Sequence, residues 1–212
     1  MPLKAAIVTV TPFQQNCTLV WDEESKIGAV VDPGGDLDRI EAGIAKAGLT
    51  PEKILLTHGH IDHAGAAAAL KEKLGGVPIE GPHEADKFLL EGLPEQARTF
   101  ALQGVRPVTP DRWLEEGDTV TVAGATFSVL HCPGHSPGSV VFVNAAQSFA
   151  LVGDVLFRGS IGRTDFPYGD HEALIRAVKT KLLPLGDDLL FICGHGPTSS
   201  IGAERRSNPF LA

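Results

Sequence analysis

The chain has 212 residues and a mass of 22.4 kDa, which is the length of one ordinary domain, so we predict a single domain over residues 1–212. Hydrophobic residues make up 43% of the chain and charged residues 21%, and this composition excludes a disordered or fibrous protein. The net charge of −8, without any basic block, disfavours nucleic acid and anionic membranes as partners.

Short runs of β-branched and aliphatic residues predict the strands of the first half, which lie over residues 6–10, 18–21, 29–31, 53–56 and 77–79. The third of them ends at the turn sequence Asp32-Pro33-Gly34-Gly35. A helix is predicted over 37–47, with Asp36 as its N-cap and Gly48 at its end. A second helix over 64–74 joins the last two strands into a βαβ unit, so these two strands are expected to be parallel.

The second half of the chain returns to strands, which are predicted over residues 119–122, 126–130, 140–143, 149–152 and 189–193. Residues 83–104 predict two polar-faced helices separated by Pro94, and residues 172–183 predict one more helix. Strands at both ends of the chain, with helices distributed between them, indicate a layered α/β domain.

The cysteines and the apolar segments bear on the cellular compartment. Three cysteines form no disulfide framework, so we predict a reduced, cytoplasmic protein. The N-terminal residues contain no long apolar segment of the kind found in signal peptides. Residues 119–153 carry no charged side chain, but turn residues divide them into pieces far shorter than the roughly 20 residues of a spanning helix. We therefore expect no membrane partner.

Ligand-type side chains follow four of the predicted strands, at the point where each strand ends. The strand over 53–56 runs into His58-Gly59-His60-Ile61-Asp62-His63, and the other three run into His135, Asp154 and His195. In open α/β sheets the carboxyl ends of the strands form the edge where ligands bind. We therefore expect these side chains to form one site.

Imidazole and carboxylate groups are good ligands for zinc, iron and manganese. Four ligands within six residues crowd a single tetrahedral ion, so the first cluster predicts two adjacent metal ions. His58 and His60 would serve one ion, and Asp62 and His63 the other. The remaining ligands would complete the pair, with Asp154 as a bridge and His135 and His195 at one ion each. Two ions about 3.5–4 Å apart hold a hydroxide and polarise a carbonyl.

The pattern His58-x-His60-x-Asp62-His63, followed by ligands at three further strand ends, resembles the metallo-β-lactamase superfamily. Segments 153–157, 159–167 and 206–210 are similar to small single-domain type II glyoxalases, the hydroxyacylglutathione hydrolase-like proteins. The resemblance implies a four-layer αβ/βα sandwich with a dinuclear site in the groove between its sheets. By the family pattern, the first ion is held by His58, His60 and His135, the second by Asp62, His63 and His195, and Asp154 bridges both.

The resemblance implies hydrolysis of a thioester, most directly of S-D-lactoylglutathione to D-lactate and glutathione. Two divalent ions, zinc, iron or manganese, would be the cofactors, and a hydroxide between them would attack the carbonyl. Asp154, which holds the ions together, and Asp62, which orients the second ion, would be the catalytic carboxylates. The pKa of a thiol is about 8.5, so its sulfur leaves as a thiolate without help from an acid, whereas an amide nitrogen must first be protonated. Thioesters or lactones are therefore expected in preference to β-lactams.

The chain ends 17 residues after His195, which leads us to expect no C-terminal helical domain of the kind that binds glutathione in two-domain type II glyoxalases. Arg163 and Tyr168, in the loop after Asp154, are the predicted substrate-binding residues. A guanidinium group suits this role because it binds a carboxylate through two parallel hydrogen bonds. We expect a monomer that acts on a small-molecule thioester.

Other functions remain open at this point. A persulfide dioxygenase of the same fold would use one iron held by His58, His135 and Asp154. A hydrolase of lactones or of other thioesters would use all the predicted ligands. Residues 134–138 match the G-x-S-x-G pattern of serine hydrolases, but Pro137 lacks the N–H that their oxyanion hole requires, so Ser136 is not predicted to be a nucleophile. Three residues near the ligands have no assigned role, namely His131, Cys132 and Cys193.

Overall fold

Two mixed β-sheets lie face to face in the computed structural model, which describes residues 2–212. The first sheet contains, in spatial order, β1 (Leu3–Val10), β2 (Gln15–Asp22), β3 (Ile27–Val31), β4 (Thr50–Leu55) and β5 (Ile79–Glu80). β1, β2 and β3 pair antiparallel, whereas β3 with β4 and β4 with β5 pair parallel. The parallel pairing of β4 and β5 confirms the predicted βαβ unit.

The second sheet is built from the later strands, which are β6 (Thr119–Val122), β7 (Ala125–His131), β8 (Val140–Asn144), β9 (Phe149–Gly153), β12 (Leu190–Cys193) and β13 (Ser199–Ser200). They are neighbours in the order β6-β7-β8-β9-β12-β13. β9 and β12 are parallel, and the other pairs are antiparallel. Two short strands, β10 (Leu156–Phe157) and β11 (Ser160–Ile161), form a separate hairpin directly after β9.

The α-helices of the described residues are α1 (Leu37–Ala47), α2 (Ile61–Ala64), α3 (Ala67–Lys73), α4 (Lys87–Glu91), α5 (Leu93–Thr99), α6 (His171–Ala177) and α7 (Ile201–Ser207). α1 has the predicted bounds and ends at Gly48, whose φ of 64° stops the helix. Asp36 is its N-cap, as predicted, but the carboxylate makes no capping hydrogen bond and instead accepts a hydrogen bond of 2.9 Å from the backbone N–H of Thr11. The side chain therefore ties the start of α1 to the loop after β1.

The other predicted helices need correction at their ends. The helix predicted over 64–74 is two short helices, α2 and α3, and α2 already begins at Ile61. The helices within 83–104 separate at Gly92 rather than at Pro94. Pro94 lies in the first turn of α5, where its missing N–H removes no helical hydrogen bond.

Towards the C-terminus, the helix predicted over 172–183 is α-helical only as α6, since Val178–Leu182 continues it as a π-helix. The sequence patterns do not predict α7. Among residues 2–212, none of the helices has both the length and the apolar character that crossing a bilayer requires.

Apolar side chains fill three interfaces between four layers. Leu19 and Val20, consecutive in β2, pack on opposite faces because side chains alternate along a strand. Val20 and Phe142 belong to the interface between the two sheets, and Leu19 faces the helices α1 to α5. On the far side, α6 and α7 pack on the second sheet through residues such as Leu174. The order of helices, sheet, sheet and helices is the predicted αβ/βα sandwich.

Phe142→Ala tests how far the interface between the sheets stabilises the fold. Phe142 is fully buried, so we expect the free energy of unfolding to fall by about 3–5 kcal/mol because buried area is lost and a cavity remains. Urea unfolding followed by circular dichroism measures this loss. Phe210→Ala is the matched control, since that side chain is 44% exposed, and it should cost about 1 kcal/mol or less. Equal losses in the two variants would contradict the expectation.

Candidate metal centre

The seven predicted ligand side chains meet at one edge of the sandwich and come from both sheets. The segment after β4 supplies four of them, with His58 and His60 in the loop and Asp62 and His63 in the first turn of α2. The second sheet supplies the others, with His135 between β7 and β8, Asp154 directly after β9 and His195 after β12. The structure therefore brings together every predicted ligand residue.

The imidazoles of His58, His60 and His135 form a first cluster, and all three are buried. Nδ1 of His60 lies 3.1 Å from Nε2 of His58 and 2.9 Å from Nε2 of His135. A tetrahedral zinc ion with Zn–N bonds of about 2.0–2.1 Å requires its ligand nitrogens to lie about 3.3 Å apart. The nitrogens of this cluster are thus close to the separation that one metal ion imposes.

Asp62, His63 and His195 form a second cluster beside the first. Oδ2 of Asp62 lies 3.2 Å from Nε2 of His195 and 3.9 Å from Nε2 of His63. Asp154 lies between the clusters, with its Oδ1 atom 3.3 Å from Nε2 of His63. Its Oδ2 atom is 3.5 Å from Nε2 of His135 and the same distance from Nε2 of His195. One carboxylate therefore faces ligand atoms of both clusters.

Each of these five histidines also has a partner at the ring nitrogen that points away from its cluster. The partners are the Thr57 hydroxyl for His58 (3.1 Å), the Tyr168 hydroxyl for His60 (2.8 Å), Oδ2 of Asp32 for His63 (2.8 Å), the Arg163 carbonyl for His135 (2.8 Å) and the Phe13 carbonyl for His195 (3.1 Å). Such partners fix the orientation and the tautomer of a metal-binding histidine. The protein itself therefore holds the rings in their positions.

Asp32, whose sequence context predicts only a turn, is also part of the site. Its buried carboxylate accepts hydrogen bonds from the N–H of Thr57 (2.7 Å), the hydroxyl of Thr57 (2.6 Å) and Nδ1 of His63 (2.8 Å). It thus orients His63 directly and His58 through Thr57. One signal was available in the sequence, because Asp32 follows an apolar strand much as Asp154 does.

Burial and neighbouring charges shift the pKa values of several ligand side chains. Burial, reinforced by the neighbouring imidazoles, lowers the pKa of His58 well below its usual value, and burial together with His135 lowers the pKa of His60 to about 3. Burial acts in the same direction on His63, but the surrounding carboxylates, Asp154 foremost, outweigh it and raise the pKa of His63. Burial would raise the pKa of Asp154, but His63 and its neighbours lower it. His58 and His60 therefore present neutral imidazoles, the form that binds a metal ion.

The donor atoms of the site fit a divalent metal. Among the described residues, Nε2 of His63 and Oδ1 of Asp154 are buried without a hydrogen-bond partner, although they lie 3.3 Å apart. A buried polar atom left unpaired costs about 1–3 kcal/mol. A cation bound by both atoms would remove that cost, and imidazole and carboxylate donors suit zinc, iron and manganese.

A cavity of about 710 Å³ opens onto the two clusters, a volume suited to a small-molecule ligand. Part of its wall is formed by aromatic side chains. Phe13 and Phe100 meet edge to face with ring centroids 5.0 Å apart, and Phe166 and Tyr168 stack at 5.3 Å. The phenylalanines come from distant parts of the chain, so their common role is not visible in the sequence.

Both predicted substrate-binding side chains line this cavity, and each already has a partner. The hydroxyl of Tyr168 is bonded to His60. The guanidinium of Arg163 donates to both carboxylate oxygens of Asp165, at 2.6 and 2.8 Å, and lies 4.5 Å from the centroid of the Phe166 ring. A substrate carboxylate would therefore have to displace Asp165 from Arg163.

The residues without an assigned role are held by burial and by contacts with other protein side chains. Burial raises the pKa of Cys132 to about 12 and that of Cys193 to about 11, so both thiols stay protonated, which disfavours metal binding. His131 stacks on His83 with ring centroids 4.1 Å apart. The hydroxyl of Ser136 donates to a buried carboxylate at 2.7 Å, which is consistent with its not being a nucleophile.

Comparison with known proteins identifies the family. The sequence pattern of the Metallo-beta-lactamase superfamily matches residues 10–195. The hydroxyacylglutathione hydrolase GloC of Haemophilus influenzae is 52% identical, over 97% of this chain and 96% of its own. The crystal structure of the BLEG-1 B3 metallo-beta-lactamase is similar with a TM-score of 0.87, at 37% identity over 99% of this chain and all of the other. That of TTHA1623 in a di-iron-bound form has a TM-score of 0.86, at 41% identity over 97% of this chain and all of the other.

The chain belongs to the metallo-β-lactamase superfamily. This membership confirms the predicted fold and supports the predicted class of enzyme, a metal-dependent hydrolase. The fold implies that the protein binds divalent metal.

Metal removal and return should change the stability of the protein. After chelation, adding zinc to about 100 times its dissociation constant should stabilise the fold by about 2.7 kcal/mol. For a chain of this length that corresponds to a Tm increase of roughly 5–10 °C, measured by differential scanning calorimetry. His60→Ala removes one ligand nitrogen and should reduce the increase. An unchanged Tm with zinc, iron and manganese alike would contradict the metal fit.

Proposed function

We propose that the protein is a dinuclear metal-dependent hydrolase of thioesters, most directly of S-D-lactoylglutathione to D-lactate and glutathione. The proposal rests chiefly on two ligand clusters that share the carboxylate of Asp154. The similarity to GloC over nearly the full length of both chains supports the glutathione thioester as substrate. The enzyme would act as a monomer in the cytoplasm, and its cysteines, which form no disulfide within residues 2–212, suit a reducing compartment.

The metal ions would be bound by all seven ligand residues, with His58, His60 and His135 at the first ion, Asp62, His63 and His195 at the second, and Asp154 at both. Zinc, iron and manganese all match this donor set. When bound, the two ions would lower the pKa of a water molecule between them and polarise the thioester carbonyl.

Asp154 and Asp62 would contribute to the reaction through their positions. The carboxylate of Asp154 spans the two clusters, so it would fix the distance between the ions. Asp62 lines the cavity with 16% of its side chain exposed, and Oδ2 lies 3.2 Å from His195. Asp62 would therefore orient the second ion on the side from which the substrate enters.

The choice of leaving group favours thioesters. A thiolate leaves without a proton, because the pKa of a thiol is only about 8.5, whereas an amide nitrogen must be protonated. The hydroxyl of Tyr168 lies in the cavity wall, 2.8 Å from Nε2 of His60, and burial raises its pKa to about 12, which makes it a poor acid. Arg163 and Tyr168 would instead bind the thiol part of the substrate.

Asp154→Asn should separate metal binding from folding. The substitution keeps the size of the side chain but replaces an acceptor oxygen by an N–H group, so we expect fewer than two metals per chain. Activity should fall by more than the roughly 10–100-fold that loss of a ligand's outer partner costs. Metal analysis and circular dichroism measure the two effects, with Asp187→Asn, an exposed carboxylate paired with Arg205, as control. Full activity with two bound metals would exclude the bridging role.

Arg163→Ala and Asp165→Ala should shift KM in opposite directions. Loss of Arg163 removes uniform binding of a substrate carboxylate, so KM should rise roughly two- to fivefold with kcat unchanged. Loss of Asp165 frees the guanidinium, so KM should fall. Arg205→Ala, whose guanidinium is bonded to Asp187 and the Leu183 carbonyl, should leave both parameters unchanged. The same KM in all three variants would remove Arg163 from the substrate site.

The decisive experiment compares three substrates on protein purified without chelators. Thiol release from S-D-lactoylglutathione under nitrogen, with close to two metals per chain, is the expected result. Oxygen uptake with glutathione persulfide, one iron per chain and negligible thioester cleavage would instead identify a persulfide dioxygenase. Rapid hydrolysis of a chromogenic cephalosporin in preference to the thioester would identify a β-lactamase, the activity named for BLEG-1.

A further inference from the structure

Asp86 is a fully buried carboxylate outside both metal clusters. It is the last residue of the 3₁₀ turn Glu84–Asp86 and stands at the N-cap of α4. Its side chain makes no capping hydrogen bond to that helix. Its carboxylate oxygens instead accept hydrogen bonds from loops outside this helix.

Three donors from two separate loops meet at this carboxylate. Oδ2 accepts a hydrogen bond of 2.8 Å from the N–H of Gly59 and one of 2.7 Å from the hydroxyl of Ser136. Oδ1 accepts a bond of 2.5 Å from the N–H of Gly138. Burying a carboxylate is costly unless it is hydrogen-bonded, and these three bonds offset that cost.

The two loops are those that carry the first metal cluster. Gly59 stands between His58 and His60, and Ser136 directly follows His135. The first loop leaves β4 in one sheet, whereas the second joins β7 to β8 in the other sheet, and these strands are not paired with each other. Asp86 therefore connects both sides of the cluster through a single side chain.

The approach of the loops to Asp86 depends on two glycines. A Cβ atom at Gly138 would lie 2.7 Å from Cβ and Cγ of Asp86. A Cβ atom at Gly59 would lie 3.1 Å from the carbonyl oxygen of Asp86 and 2.7 Å from Cβ of Leu89. Both backbones reach the carboxylate because neither residue has a side chain.

We propose that Asp86 is a positioning residue for the metal centre, one that sets the distance between the His58–His60 loop and the His135 loop. Asp86 is not among the seven ligand residues and does not line the cavity, and it acts through the backbone of Gly59 and Gly138 and through Ser136. The inference rests on the metal centre of the proposed function and is independent of the substrate.

Zinc affinity of the first cluster tests this role. We would place Asp86→Asn in a His195→Ala background, which leaves only the first cluster with all its ligands, and measure zinc binding by competition with a chromophoric chelator. Asparagine has the same volume but only one acceptor oxygen, so at least one of the three hydrogen bonds is lost and its donor then faces the amide NH₂ group. The dissociation constant for zinc should rise about 10–100-fold.

Ser136→Ala and Asp111→Asn complete the design. Ser136→Ala removes one of the three bonds and should weaken zinc binding less than Asp86→Asn does, and it carries the test if that variant fails to fold. Asp111 accepts a backbone N–H bond of 2.7 Å from Ile79, outside the ligand loops. Asp111→Asn should therefore lower the Tm of the metal-free protein without changing zinc affinity.

Wild-type zinc affinity in both Asp86→Asn and Ser136→Ala would overturn the positioning role. An equal loss of affinity in Asp111→Asn would also overturn it, because a general loss of stability would then explain the effect. If the unsubstituted protein binds no zinc, the proposed metal centre fails and this inference fails with it. If zinc binds but no thioester is cleaved, only the proposed substrate fails.

Discussion

The structure depends on one constraint, which is that imidazoles and carboxylates from two separate sheets must lie buried within a few ångströms of one another. His58 and His60 come from one sheet and His135 from the other, yet their nitrogens approach to 2.9–3.1 Å. Such a concentration of polar atoms is unfavourable in a protein interior unless each atom has a partner. The unpaired atoms of His63 and Asp154 mark the places where a cation would complete the pairing.

The scaffold meets this constraint with hydrogen bonds from outside the ligand set. Asp32 holds His63, and Asp86 joins the two loops of the first cluster. On the opposite side, Nδ2 of Asn16 in β2 donates to the carbonyls of Cys193 (3.0 Å) and Gly196 (2.8 Å), which flank His195. These side chains add to the backbone hydrogen bonds that link the two sheets at this edge, from the N–H of Asn16 to the Gly194 carbonyl (2.7 Å) and from the N–H of Val140 to the Thr57 carbonyl (2.8 Å).

Reactivity and substrate choice reside in different parts of the site. With metal bound, the ligand clusters would supply a centre that polarises a carbonyl, whatever the rest of the substrate contains. Five Phe and Tyr rings line part of the cavity, and the guanidinium of Arg163 in its wall is paired with Asp165. Under the proposed function, affinity for a glutathione carboxylate would depend on the exchange of one exposed ion pair for another, an exchange with a small net energy.

The seven side chains that meet at the site, most of the alternation of strands and helices, and the bounds of α1 could be predicted from the sequence, because these signals are local. Ligand spacing, strand ends and helical periodicity each depend on residues close together in the chain. The ordinary residues that support the seven side chains are instead identified by tertiary contacts. Phe13 lies 182 positions from His195, and Asp86 lies 50 positions from Ser136, so no local pattern connects them. Aspartate, phenylalanine and serine are common in every protein, and their roles here arise only where the fold brings them into contact with the metal-binding loops.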